Sequence, residues 1–348
     1  MDRRSLLTAA VASTLVPFGL AATPAMGAAA ELPMRVVNGR GIAGIRRVLI
    51  GSFGVNFVTE RKASQSSGGG FRSRFAQSSV NVQTNLTGLS PEDYVAAADA
   101  AYASAIQALQ AKGIEVADNS ALLASLRNRL APQPNGASDQ FSEGGNSSVE
   151  MVRYGPTAFG GFYPLDGWVT MGGGFSGIAN TGALRAGLTA TEHLRAQVRA
   201  LDTAIIGLLI TVNPVRMTAD QSTEWRVPDA LGNGGIARTS TISTETGLSS
   251  NPYKSWLDVY PTSGRSGQVS VQAEIGVSGG IGTLVDSTSS GSRALQGLGN
   301  ALSSPLLGGS GRSSNTTNYT LNADSRSYIA GVGALGYDVM TAFAGPLS

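Results

Sequence analysis

The side chains able to do chemistry are few, and their spacing argues against most of the chemistry they suggest. The chain has no cysteine and a single histidine, His193. That removes thiol nucleophiles, zinc–thiolate sites, iron–sulfur clusters and disulfides. Gly276-Val277-Ser278-Gly279-Gly280 matches the G-x-S-x-G pattern of a nucleophile elbow, and an alternating strand precedes it. A serine nucleophile needs a base, and in that arrangement the histidine comes last in the chain. His193 comes before Ser278, against that order, and chance matches are expected where glycine and serine are abundant. Gly331-Val332-Gly333-Ala334-Leu335-Gly336 matches G-x-G-x-x-G. A dinucleotide site also needs a following strand with an acidic residue about 20 positions on, and the chain ends too soon. Gly51-Ser52-Phe53-Gly54 lacks the Lys-Ser/Thr ending of a phosphate loop. The carboxylates Asp166, Asp202, Asp220, Glu224 and Asp258 are scattered, and only folding can pair them for hydrolysis. No calcium-loop pattern is present. Neither cofactor nor metal is therefore expected.

One local feature points to binding. Arg35, Arg40, Arg46, Arg47, Arg61, Lys62, Arg72 and Arg74 share their stretch with only Glu31 and Glu60. Convergence of Arg46, Arg61, Arg72 and Arg74 on one cleft would make an anion site, for a soluble ligand or for lipid headgroups at a membrane surface. The whole chain carries a formal charge of only +2, so nucleic acid is not an expected partner.

Such side chains must be positioned by sheets and helices that the pattern partly reveals. "RVLIGSFGVNF", Arg47–Phe57, is apolar on consecutive positions, which fits a strand covered on both faces. The polar stretch 59–90 reads as irregular, with a short hairpin arm around Val80 and Val82. Ser90, Pro91 and Asp93 open a helix over 91–112 whose apolar stripe is Val95, Ala98, Tyr102, Ile106 and Leu109, and Gly113 ends it. A short strand at Ile114–Val116 and a second helix at 120–130 follow. The Pro- and Gly-rich stretch 131–183 reads as an insertion or linker. A helix over 184–201 leads into a buried strand, 203–213, which Asn213-Pro214 should stop. Residues 214–266 read as loop-rich. Val269, Val271, Ala273, Ile275 and Val277 alternate with polar residues, as a single half-buried strand would. Residues 286–318 are low-complexity and read as a loop. A glycine-containing helix over 325–344 must gain from close packing on a neighbour.

Composition adds a compartment. Arg3 and Arg4, the uncharged run Leu6–Ala22 and Ala25-Met26-Gly27 form an export signal, short for a span of ~20 apolar residues. The start also fits a loose twin-arginine pattern, so either the Sec or the twin-arginine route is open. Charged residues make up only 14% of the chain, and glycine numbers 46, as suits a β-rich exported protein.

The strand 47–57, the helix 91–112 and "GIEVADNSALLASL", with Gly113, Ile114, Val116 and Asp118, follow one another in a familiar order. This order resembles the periplasmic α/β domains of CsgG-type curli-secretion proteins and the amino-terminal domain of TolB. "LDTAIIGLLITVN" resembles their later buried strand. The likeness covers residues 47–130 and 200–213, and it implies an architecture and an envelope location, not a pore.

The sequence thus predicts an α/β or α+β fold, a mixed sheet packed by helices with long Gly/Ser-rich loops. Its segments are an export signal (1–30), an α/β module (31–130), an insertion (131–183), the second half of the sheet (184–285), a low-complexity loop (286–318) and a carboxy-terminal helix (319–348). The expected role is a non-catalytic one in the periplasm or cell envelope, in assembly, secretion support or binding. The partner would be an envelope protein or a second copy of the chain. The alternatives are a periplasmic hydrolase using the scattered carboxylates or Ser278, and a soluble anion-binding protein.

Overall fold

A computed structural model describes residues 33–66, 77–144, 147–165, 181–226, 235–251, 254–262, 265–277, 279–290, 292–294, 296 and 312–348. The expected export signal, 1–30, lies outside them. In chain order the elements are β1 (Met34–Val37), α1 (Gly39–Ile42), β2 (Arg47–Ser66), β3 (Gln77–Thr87), α2 (Pro91–Ala111), β4 (Glu115–Val116), α3 (Ser120–Arg129), β5 (Ala137–Gly144) and β6 (Ser147–Tyr154). Then come α4 (Thr181–Leu201), β7 (Ala204–Arg226), β8 (Gly235–Ser250), β9 (Trp256–Tyr260), β10 (Gly267–Val271), β11 (Gly276–Val277), β12 (Gly282–Asp286), β13 (Arg312–Ala323) and α5 (Ser325–Ala344). The class is the expected α/β one: a sheet with both parallel and antiparallel ladders, packed by helices.

The first halves of β2 and β7 make the centre of the sheet. They pair in parallel from Val48↔Ala204 to Phe57↔Val212. Parallel strands need cover on both faces, and both segments are buried throughout. Antiparallel β9, β10 and β1 extend the sheet on the β7 side, and β4 and β6 flank β2 on the other. Gly51 sits where the β2–β7 register slips between Ile50 and Ser52. A Cβ at Gly51 would lie 2.8 Å from a Leu194 methyl, so its absence lets α4 close on the sheet.

The opposite face takes α2 and α5. Ser90 and Asp93 form the expected capping box, with Pro91 in the first turn. Phe53 meets Tyr102 edge-on at 5.2 Å, and Phe57 meets Tyr94 at 5.0 Å and Tyr328 at 6.2 Å. Burial and the neighbouring Tyr154 push the Tyr94 hydroxyl up to about 12, so these rings pack as neutral groups. The G-x-G-x-x-G residues lie within α5. A Cβ on Gly336 would stand 2.9 Å from the Ala101 backbone, which is the close helix contact the glycines were expected to serve.

Past Phe57 and Val212 the sheet forks, and several expectations fail there. β2 does not end near Val58 but runs to Ser66, pairing with β3 from Glu60↔Asn85 to Ser66↔Ser79. β3 in turn pairs in parallel with β13 along its length, and β12 borders β13. Asn213-Pro214 does not stop β7. The register slips between Asn213 and Val215, and β7 continues against β8 to Arg226↔Gly235. Proline removes one donor, and a bulge accommodates that loss. The presumed insertion 131–183 holds the β5–β6 hairpin, which joins β2. The presumed loop 286–318 contains the start of β13, and 214–266 holds most of β7 with β8 and β9. The alternating run 269–277 is two strands, β10 and β11, broken at Gln272–Ile275. All the described residues belong to one compact unit.

Candidate functional site

The fork has an unusual interior. Asn56 of β2 stands between Arg153 of β6 and Thr211 of β7 in adjacent registers. Arg153 Nε donates to Asn56 Oδ1 at 2.6 Å, Asn56 Nδ2 donates to Thr211 Oγ1 at 2.9 Å, and Thr211 Oγ1 donates to the Lys254 carbonyl at 2.6 Å. All three side chains are buried. Burial lowers the pKa of Arg153, and Asp139, 3.8 Å away, opposes this only in part. The guanidinium also lies over the Phe162 ring at 5.3 Å. Burial likewise lowers the Lys254 ammonium, which sits 4.7 Å from the Phe141 ring.

One step further along β7, Asn213 pairs in register with Ser249 of β8. Both are buried, and among the described residues neither amide atom of Asn213 nor the Ser249 hydroxyl has a hydrogen-bond partner. Buried polar groups of this kind destabilise a fold unless something repays them. They stand where β7 leaves β2 and takes up β8. From Val215 to Arg226 β7 pairs only with β8 among the described residues; β8 also pairs with β11 at Leu248 and Ser249, and its Ser250 N–H donates to the Ile275 carbonyl at 2.8 Å. Among the described residues, no further strand ladder pairs the outer edges of this arm, although β8 packs beside β3. An isolated hairpin is marginal in water, and open edges invite pairing.

Catalytic candidates fare differently. His193 does find a serine, but it is Ser125: the α3 hydroxyl lies 2.9 Å from His193 Nε2, and Gln197 Nε2 donates to the same oxygen at 3.2 Å. Burial, then Arg129, lowers the His193 pKa, so the ring stays neutral near pH 7. A neutral histidine on a serine is half of a hydrolytic site. A carboxylate or amide to orient the ring is missing among the described residues, and Gln197 occupies the hydroxyl that would attack. The arrangement fastens α3 to α4. Ser278 and Asp166 lie outside the described residues. Asp258 is buried in β9 and accepts from Gln268 at 2.9 Å, while Asp202 follows α4 with φ 44. No group of three or more acidic, histidine or cysteine side chains that could hold a metal gathers among the described residues.

Of the four arginines whose convergence would make an anion site, the two within the described residues stand apart. Arg46 precedes β2 and Arg61 lies well along it, about 50 Å away at strand rise. Arg72 and Arg74 lie outside the described residues. Sequence reasoning missed the polar root of the fork because its members come from four strands. The one local sign was the run of Asn56, Thr211 and Asn213 inside otherwise apolar segments. No protein-family model, no curated protein and no solved structure matches the chain.

Proposed function

We propose that this is an exported, non-catalytic protein of the bacterial cell envelope that works by self-association through its strand arms. The observation that carries the reading is the β7–β8 ribbon, which leaves the α/β body and, from Val215 to Arg226, has no strand ladder on its outer edges among the described residues. β5 and β12 end the other limb of the fork and also bond on one side only. A ribbon edge on one copy can therefore continue the sheet of the next, and backbone donors and acceptors open in the monomer become paired. An export leader and the likeness to envelope secretion domains support the location. No helix among the described residues is long and apolar enough to cross a membrane.

The absence of cysteine makes the test clean. Cysteines placed singly at the exposed Ser138 of β5 and Glu245 of β8, then mixed, should give disulfide-linked dimers only in the mixed sample if these edges meet. Replacing Arg216–Glu245 by a short turn should leave a folded protein that sediments as a monomer. Fractionation of expressing cells should place the intact chain in the envelope. A monomer in the intact protein at tens of micromolar, with cytoplasmic fractionation, overturns the reading.

A further inference from the structure

The far end of the body, away from the fork, holds a cleft that the proposed assembly does not use. It has a volume of ≈ 560 Å³, and its lining includes Arg195 and Arg199 of α4 and Tyr260, Arg265 and Ser266 from the β9–β10 connection. A cavity of this size is in the range that holds a small organic ligand. Arg195 and Arg199 are one helical turn apart and so share a face. Arg195 is held in place: its Nη2 donates to Ser266 Oγ at 3.3 Å, and its guanidinium lies 5.7 Å from the Tyr260 ring centre. The backbone beside Arg265 is fixed too, since Asn38 Nδ2 donates to the Arg265 carbonyl at 2.6 Å and to that of Ser266 at 3.3 Å.

Three arginines therefore line one concavity, and no carboxylate is among its described lining residues. None of the three forms an ion pair among the described residues, although Arg47, Lys62, Arg153, Arg216 and Arg293 each do. The bland explanation is helix electrostatics, because a cation near a helix carboxy terminus complements the macrodipole. It accounts for Arg199, in the last turn of α4. It does not account for Arg265, which comes from another element, or for the anchoring of Arg195 across to that element. Like charges gathered without counter-charge repel, and an anion between them reverses the sign.

We infer that this cleft binds a phosphate-bearing ligand, with Arg195 and Arg265 as paired forks on the phosphate oxygens and Arg199 adding charge. Planar guanidinium groups match such oxygens two at a time. The phosphate can belong to a soluble molecule or to a phospholipid headgroup, and the test separates them.

The full chain would be titrated with inorganic pyrophosphate by calorimetry. In parallel it would be co-sedimented with phosphatidylglycerol vesicles and with phosphatidylcholine vesicles. The Arg195→Gln/Arg265→Gln pair should weaken whichever probe binds by about ten- to a hundredfold, the loss expected for two charged hydrogen-bonding groups. The Arg195→Lys/Arg265→Lys pair keeps the charge without the fork and should fall between. Removal of equal charge at the exposed Arg35 and Arg326 should change binding less than twofold. Far-UV circular dichroism of each variant reports folding. Pyrophosphate binding supports a soluble phosphate, and binding to phosphatidylglycerol vesicles alone supports a headgroup. No binding to either probe overturns the inference, as does an equal loss in the Gln pair and the Arg35/Arg326 control. Because the residues lie outside both limbs of the fork, failure here leaves the self-association reading standing, and a monomeric protein leaves this one.

Discussion

The two ends of β7 are one continuous strand in two different environments. From Ala204 to Val212 it is buried between β2 and β9 and covered on both faces. Beyond Val215 it has β8 on one side only. β2 shows the same change, from the apolar run around Phe53 and Phe57 to Glu60, Arg61 and Lys62. Burial of apolar area stabilises the first region in proportion to its size. The second region is held by the β7–β8 ladder. The body is therefore expected to hold most of the stability, and the arm less.

The comparison is broken most forcefully from the body. Phe57 is fully buried among Tyr94, Tyr154 and Tyr328. Phe57→Ala is expected to cost about 3–5 kcal/mol, through lost transfer energy and the cavity left behind. Glu245→Ala, on the exposed part of β8, should stay within about 0.5 kcal/mol. Urea denaturation of both variants checks the pair. Equal losses would mean that arm and body unfold as one unit of uniform stability.

At the junction the expected sign reverses. Asn213 buries an amide whose two polar atoms have no partner. Asn213→Leu keeps the volume and removes the unpaired groups, so it should raise the stability of the monomer by about 1–2 kcal/mol. The same variant is expected to weaken association if the polar root sets the angle of the arm. A lower urea midpoint would show instead that the amide is satisfied in solution.

How much of this was legible depended on whether the signal was local. Ser90, Pro91 and Asp93 cap α2 with groups three residues apart, so the sequence alone located that helix. The apolar runs 47–57 and 203–213 announced strands of a covered sheet in the same way. The arms were misread because Ser, Thr, Asn and Gly dominate them, and those residues favour turns when no ladder is available. The ladder partner was invisible: β3 is held in parallel by β13, from the far end of the chain. Proline at 214 reads locally as a stop, yet the β7–β8 pairing tolerates it by a slip of register. The chemistry of the surface followed the same rule. Ser125 and His193, or Arg195 and Arg265, are neighbours only because α4 packs against α3 and the β9–β10 connection.

The smallest effect tests how firmly α4 is fastened to the body. His193 has a folded pKa below its ordinary 6.5, from burial and from Arg129, and its Nε2 meets the Ser125 hydroxyl. In the unfolded chain the ring takes up a proton near its ordinary value, while the folded chain resists until lower pH. Stability from this group is therefore complete above pH 6.5 and is lost as pH falls through the folded value. Thermal unfolding should show a midpoint that declines from pH 7.5 to pH 5.5, and His193→Gln should flatten that slope while leaving the midpoint at pH 7.5 within a few degrees. A slope unchanged by His193→Gln would assign the acid sensitivity to other groups and would leave Gln197 and apolar contacts as the fastening between α3 and α4.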